Sequence, residues 1–343
     1  MSGTIVVGLD VGGTSTRATA LTLTGERLGT GRAGGGNPTS HGAERAAAEL
    51  STALREALRD VDPTRVRAGA IGLAGAGRLR ADPAGRAAFD RAWSDAGLRC
   101  PYTVHSDALV GYASGTAAAD GTILIAGTGA IAAQVCRWRL DRVADGHGWL
   151  LGDAGSGFWL GREAVRRLLA DLDAARTPGP LGRRVLATLL GDDRVADRPR
   201  ETVDAVVQAV TRRPAVELAR LAPLVVAAAE TEPVAVTLIE RAAGLLADSV
   251  ARIRPAGAVD PVVLGGGLLT GGTPLAVAVT AELARRWPVA PLRPAGDGAC
   301  AAAWLAARDL PGITDPAALH PLFVPDPPVD GEGVDPDPSQ GRS

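Results

Sequence analysis

Asp10, Gly12, Gly13, Thr14, Ser15 and Thr16 fall within one segment, IVVGLDVGGTSTRATA, at residues 5–20. A β-branched run ends in an aspartate, a Gly-Gly-Thr turn follows, and a second strand is predicted over 17–23. Such a hairpin turn can hold phosphate. Glycine lets backbone N–H groups approach an anion closely, and the Thr14 and Thr16 hydroxyls add donors. Asp10, at the mouth of the turn, is placed to hold a magnesium ion, directly or through water. A tight connection would use the same glycines, so this turn alone does not decide between the two roles. All 36 basic residues of the chain are arginine. A Walker-type loop needs Gly-Lys-Ser/Thr and is therefore excluded. Phosphate would have to be held by backbone amides, hydroxyls and metal.

Further candidates follow along the chain. Gly127-Thr128-Gly129 interrupts a second apolar hairpin over 122–137 and repeats the plan of the first. Ser106-Asp107 lies between a short predicted strand and an apolar helix starting at Ala108. Asp107 there either caps the helix or acts as a general base, taking a proton from a hydroxyl that attacks phosphorus. The segment 146–161, GHGWLLGDAGSGFWLG, carries six glycines in sixteen residues, awkward for a helix or strand. It reads as a packed surface loop or as the lining of a sugar pocket, with Asp153 binding hydroxyls. His147 alone would more often be structural. Asn37, in GGGNPT at 34–39, fits a turn signal and also the paired donor and acceptor that adjacent sugar hydroxyls need.

These residues need a frame to position them. Strands are predicted at 4–9, 17–23, 68–73, 103–105, 122–126, 130–137 and 261–264, and helices at 42–58, 83–96, 161–172, 203–210, 216–230 and 233–252. Their alternation indicates an α/β protein, with an almost purely helical stretch at 162–254. Two hairpins of one plan suggest two similar domains facing each other across a cleft. PVVLGGGLL, at 261–269, reads as a buried strand running into a glycine turn made by Gly265, Gly266 and Gly267. From about 311 the chain turns rich in Pro, Asp and Gly, which predicts a mostly disordered tail over 313–343, with disorder beyond about Val324.

A length of 343 residues, 46% hydrophobic and 22% charged, suits a globular protein of two domains. A net charge of −2 gives no electrostatic reason to expect nucleic acid or an acidic membrane surface. No run reaches transmembrane length and no signal segment opens the chain, so cytoplasm is the expected location. Cys100, Cys136 and Cys300 lack metal-ligand spacing and read as small buried hydrophobes.

Taken in order, these segments resemble the actin-like superfamily of sugar kinases, heat-shock chaperone ATPases and hexokinases. Within it the chain is similar to the BadF/BadG/BcrA/BcrD ATPase group, most of all its N-acetylglucosamine kinase branch, from about residue 4 to 310. The resemblance implies two ribonuclease-H-like domains around an interdomain cleft, with a helical insertion at 162–254 in the second. The first would comprise 1–119 plus a final apolar helix within 298–312, and the second 120–297. On this mapping Asp10 positions magnesium, Thr14 and Thr128 contact the phosphates of ATP, and Gly265, Gly266 and Gly267 admit the adenosine. Asp107 matches the catalytic base. Asn37, Gly146, His147, Gly148, Trp149 and Asp153 fall where the sugar kinases bind their hexose. Two departures bear on the sugar. Many relatives have Gly-Asp-Glu-Gly-Ser where this chain has Gly152-Asp153-Ala154-Gly155-Ser156, and many have serine where it has Ala130.

The implied activity is transfer of the ATP γ-phosphoryl group to the 6-hydroxyl of an amino sugar, N-acetylglucosamine first, with glucosamine and N-acetylmuramic acid as alternatives. A homodimer is implied by the same resemblance. Two other classes compete. An ATPase that activates a dehydratase would hold an iron–sulfur cluster on paired cysteines, for which these three offer no partners. A sugar-responsive regulator would be non-enzymatic.

Overall fold

The computed structural model describes residues 3–325 and holds two five-stranded sheets. The first is built from β1 (Ile5–Val11), β2 (Ser15–Thr22), β3 (Arg27–Gly34), β4 (Val66–Leu73) and β5 (Tyr102–Ser106), in the order β3-β2-β1-β4-β5. The second uses β6 (Gly121–Ala126), β7 (Ala130–Cys136), β8 (Arg139–Asp145), β9 (Val262–Gly265) and β10 (Leu292–Pro294), in the order β10-β9-β6-β7-β8. Read from the other edge, the second order repeats the first. In both, an antiparallel three-stranded meander is extended by two parallel strands. The likeness seen between the two hairpin sequences is thus a likeness of whole sheets.

Alternation along β1 divides its side chains between two cores. Ile5, Val7, Leu9 and Val11 meet the Ala43–Ala57 and Pro83–Asp95 helices, whereas Val6 turns to the Gly298–Arg308 helix on the opposite face. That helix, GACAAAWLAAR, buries every residue from Gly298 to Ala307. Its alanines let it close on β1, where a Cβ at Gly8 would overlap Ala299 O and the backbone of Ala303. In the second sheet, Leu124, Ala126 and Ala132 pack under helices Gly157–Asp173, Pro233–Ala251 and Pro274–Arg286.

One short helix, Asp107–Ala113, lies between the sheets. Val110 and Ala113 join the core of the first, and Ala108, Leu109 and Tyr112 pack with Ile123 and Val263 of the second. Two faces are thereby taken. The third, carrying Asp107, Gly111 and Ser114 at i, i+4 and i+7, faces the cleft.

Several expectations need correction. The predicted tail includes a helix, Pro316–Phe323, with Phe323 1% exposed. Trp304 Nε1 donates to Pro316 O at 2.8 Å, and His320 Nε2 lies 2.7 Å from Ala113 O. A buried phenylalanine and two polar contacts to backbone carbonyls thus outweigh an unpromising composition. The remainder of that prediction, 326–343, lies outside the described residues. The glycine-rich stretch 146–161 is not loop throughout, because Gly157 starts a helix capped by the Ser156 hydroxyl. Among the described residues, no single helix is long and apolar enough to cross a membrane.

Candidate functional site

A cleft of about 650 Å3 opens where the two hairpin turns meet the end of β5 and the start of the Gly298–Arg308 helix. Each turn is fixed by its own backbone. Gly12 N donates to Ser15 O and Gly127 N to Gly129 O, both at 2.9 Å. The second turn is tied further. Gly157 N and Phe158 N, the first amides of their helix, donate to Gly127 O and Thr128 O. Thr14 and Thr128 stay exposed on the two turns, with hydroxyls free to meet a ligand.

Asp10 and Arg17 are register partners across β1 and β2, and Arg17 Nη2 donates to Asp10 Oδ2 at 2.7 Å. Burial opposes the guanidinium's charge, but the Asp10 and Asp297 carboxylates outweigh it and raise its pKa. Arg17 is the one cation lining the cleft among the described residues, so phosphate need not rely on amides, hydroxyls and metal alone. Gly298 keeps Asp10 unobstructed, since a Cβ there would stand 2.7 Å from Asp10 Oδ2.

The capping role left open for Asp107 belongs to Ser106, whose Oγ accepts from Leu109 N at 3.2 Å. Asp107 begins the helix, and its Oδ1 accepts from Ala108 N at 2.9 Å. Burial raises its pKa above the ordinary carboxylate value, the Ala108 hydrogen bond opposing and the Asp10 charge adding to the rise. A carboxylate so placed is poised to accept a proton.

The loop before the Gly157–Asp173 helix is held by Asp145, which sequence reasoning missed. Its Oδ1 accepts from Asp153 N at 2.6 Å and its Oδ2 from Ala154 N at 2.9 Å. These bonds keep Asp153 at φ 57°, in the left-handed region, and its Oδ1 in turn accepts from Ala130 N at 3.0 Å. Burial, opposed by that bond and helped by the Asp145 charge, raises the pKa of Asp153 as well. Asn37 caps the Pro38–His41 helix, its Oδ1 accepting from Thr39 N at 2.8 Å, which leaves the amide nitrogen for a ligand.

Most of the predicted residues meet in this cleft: Asp10, Gly12, Gly13, Thr14, Ser15, Asn37, Asp107, the Gly127-Thr128-Gly129 turn, Gly146, Gly148, Asp153, Gly265 and Gly266. Four do not line it. Thr16 points inward and donates to Gly34 O at 2.8 Å. Trp149 is 41% exposed with its ring 5.7 Å from that of Phe158, and His147 and Gly267 lie outside the lining. Besides Arg17 and Asp145, sequence reasoning missed Gly111, Ser114, Gly296 and Gly298. A helical count from Asp107 would have found the first two, and the strand register the arginine.

Two sheets of one strand order, with glycine-turn hairpins facing each other across a cleft, define the actin-like ATPase architecture. The chain belongs to the BadF/BadG/BcrA/BcrD ATPase family, whose family model matches residues 7–287. Over 185 residues it is 30% identical to the N-acetyl-D-glucosamine kinase of Dictyostelium discoideum, covering 50% of this chain and 56% of that one. The chain thus spans just over half the length of this curated relative. Its fold matches a candidate N-acetylglucosamine kinase from Chromobacterium violaceum with a TM-score of 0.69 at 24% identity, over 89% of this chain and 99% of the other. It also matches a glucokinase of the ROK family from Streptomyces griseus, solved with glucose and AMPPNP, with a TM-score of 0.53 at 20% identity over 89% and 99%.

Proposed function

We propose that this chain is an ATP-dependent sugar kinase that phosphorylates the 6-hydroxyl of an amino sugar, N-acetylglucosamine first. The observation that carries this reading is Asp107. It is a cleft carboxylate of raised pKa, opening a helix held between two sheets, in one cleft with both Gly-Thr turns. The Dictyostelium relative supports the choice of sugar.

In this reading Asn37, Asp153 and the backbone at Gly146 and Gly148 hold the hexose, bringing its hydroxyl to Asp107. The carboxylate accepts the hydroxyl proton as the oxygen bonds to the γ-phosphorus of ATP. The bond from that phosphorus to the β–γ bridging oxygen breaks, and ADP leaves with its electrons. Thr14, Thr128 and the turn amides fix the phosphates in line, while Arg17 offsets charge on the transferring group. Gly265 and Gly266 leave room for the adenosine.

Magnesium fits this donor set. Asp10 stands alone as a cleft carboxylate beside the first turn, and among the described residues no cluster of three acidic, His or Cys side chains could cage an ion. Mg2+ takes one or two carboxylates and completes its shell with substrate phosphates and water. Asp10 would hold it there, and it would neutralise phosphate charge. Homodimer formation and a cytoplasmic location belong to the same proposal, the first tested by light scattering and the second by fractionating the native cell.

A coupled ADP-release assay with ATP and magnesium across a hexose panel tests the function, run beside Asp107→Asn. Turnover on one amino sugar that disappears in the variant is the expected result. ADP release independent of sugar and untouched by the substitution would overturn it.

A further inference from the structure

A second cavity, of about 700 Å3, lies outside the cleft and shares none of its lining residues. Both halves of the molecule wall it. The first half contributes Arg80, at the end of the Ala76–Arg80 helix, Arg86, in the first turn of the Pro83–Asp95 helix, and Thr103 and His105 on β5. The second half contributes Trp138 from the β7–β8 turn and Arg139 at the start of β8.

Its charge is uncompensated. No carboxylate lines it, and the guanidinium groups of Arg80, Arg86 and Arg139 make no ion pair or hydrogen bond among the described residues. Two carboxylates felt by its walls are already engaged. Asp90 accepts from the Tyr102 hydroxyl at 2.5 Å, and Asp309 pairs with Arg308 at 3.3 Å. His105 lies 2.9 Å from Thr103 Oγ1, and burial lowers its pKa, which disfavours its charged form. The cavity walled by Arg166, Arg167 and Arg241 is a contrast, since those three pair with Glu163 or Asp171.

Three exposed arginines on three separate elements line one concave space with no carboxylate among its walls, which makes it attractive to an anion. The planar fork of a guanidinium matches the oxygens of phosphate, and an aromatic wall beside it suits an organic body rather than a bare ion. We propose that this cavity binds a phosphate ester of metabolite size, which ties the β7–β8 turn to β5. Ser106 lines this cavity and Asp107, the next residue, lines the cleft. On the kinase reading given above, occupancy therefore alters turnover. The binding claim itself does not depend on that reading.

The test is calorimetric titration of the whole chain with its cleft saturated by ADP, using inorganic phosphate, glucose 6-phosphate and AMP as separate probes. At least one ester should bind, and the sugar and nucleotide arms show which body the aromatic wall prefers. Its affinity should fall about tenfold or more in Arg80→Gln/Arg139→Gln and in Arg86→Gln, and stay unchanged in Asp107→Asn. Melting temperatures without probe should hold in the arginine variants, because each removes an unpaired surface charge. Binding that survives both arginine variants overturns the proposal, as does a wild type that no probe occupies. Binding of inorganic phosphate alone reduces the site to an adventitious ion and also overturns it.

Discussion

Arg17 Nη2 stands 2.7 Å from Asp10 Oδ2, so the cleft's one lining cation rests on the carboxylate proposed to hold magnesium. On the kinase reading, ligand binding would part them, leaving Arg17 to the phosphate and Asp10 to the ion. With Arg17 46% exposed, the ion pair stabilises the fold by less than about 1 kcal/mol. Arg17→Gln should therefore leave the melting temperature nearly unchanged while lowering kcat/KM for ATP by about tenfold or more. Steady-state kinetics beside a thermal melt would show it, and an unchanged kcat/KM would remove Arg17 from the phosphate site.

Asp107→Asn should separate activity from stability. Loss of a general base costs about 10²–10⁴-fold in kcat. Burial raises the folded-state pKa of Asp107 above its unfolded value, so its contribution favours folding at low pH and is lost as pH rises through the raised pKa. The variant should therefore melt higher than wild type at neutral pH, with the difference shrinking as pH falls towards the ordinary aspartate range. The wild-type rate should also fall on acidification at a higher pH than an aspartate of ordinary pKa would give. A variant that melts lower at neutral pH would contradict this.

Asp145→Ala removes the acceptor of two backbone N–H groups at once. Hydrogen bonds to a charged group contribute about 1.5–3 kcal/mol each, and here they hold Asp153 in left-handed backbone. The expected result is a raised KM for the sugar, with KM for ATP little changed. Asp145→Asn, which keeps one acceptor oxygen, should recover part of the loss. A rise confined to KM for ATP would place Asp145 elsewhere in the mechanism.

Gly8→Ala drives a methyl group into Ala299 O and the backbone of Ala303, neither of which can swing aside. Overpacking of this kind costs about 1–3 kcal/mol or more. A chemical-denaturation curve should show the loss, whereas Gly13→Ala, whose added Cβ meets nothing within 4 Å, should be nearly neutral in stability.

Legibility in the sequence followed physical cause. Both hairpin turns were readable, because a backbone that approaches an anion and a tight turn call for the same glycines. β3 was not, since Gly29 and Gly31 look like strand breakers. In the fold they let the Ala43–Ala57 helix press its Ala57 and Ala53 carbonyls against the strand. β8, RLDRVAD, hides for another reason. It is an edge strand in which Arg139, Asp141 and Arg142 are exposed while Asp145 is buried, so apolar alternation never develops. Asp107 was found by its place after β5, but its cleft-facing neighbours Gly111 and Ser114 look like ordinary small helical residues. Asp145 and the three unpaired arginines acquire meaning only once distant segments are brought together.

The Gly298–Arg308 helix also orders events in time. It covers a face of the first sheet, so β1 is made long before its partner helix, which follows every strand of both sheets. At about 5–20 residues per second, the ribosome leaves Val6 and its neighbours without their cover for many seconds. The second sheet, by contrast, draws its strands and covering helices from one continuous stretch of chain. The half that emerges first is therefore expected to finish folding last. Ribosome-arrested chains ending before residue 298 should keep β1 sensitive to protease, and protection there before the helix emerges would refute that order.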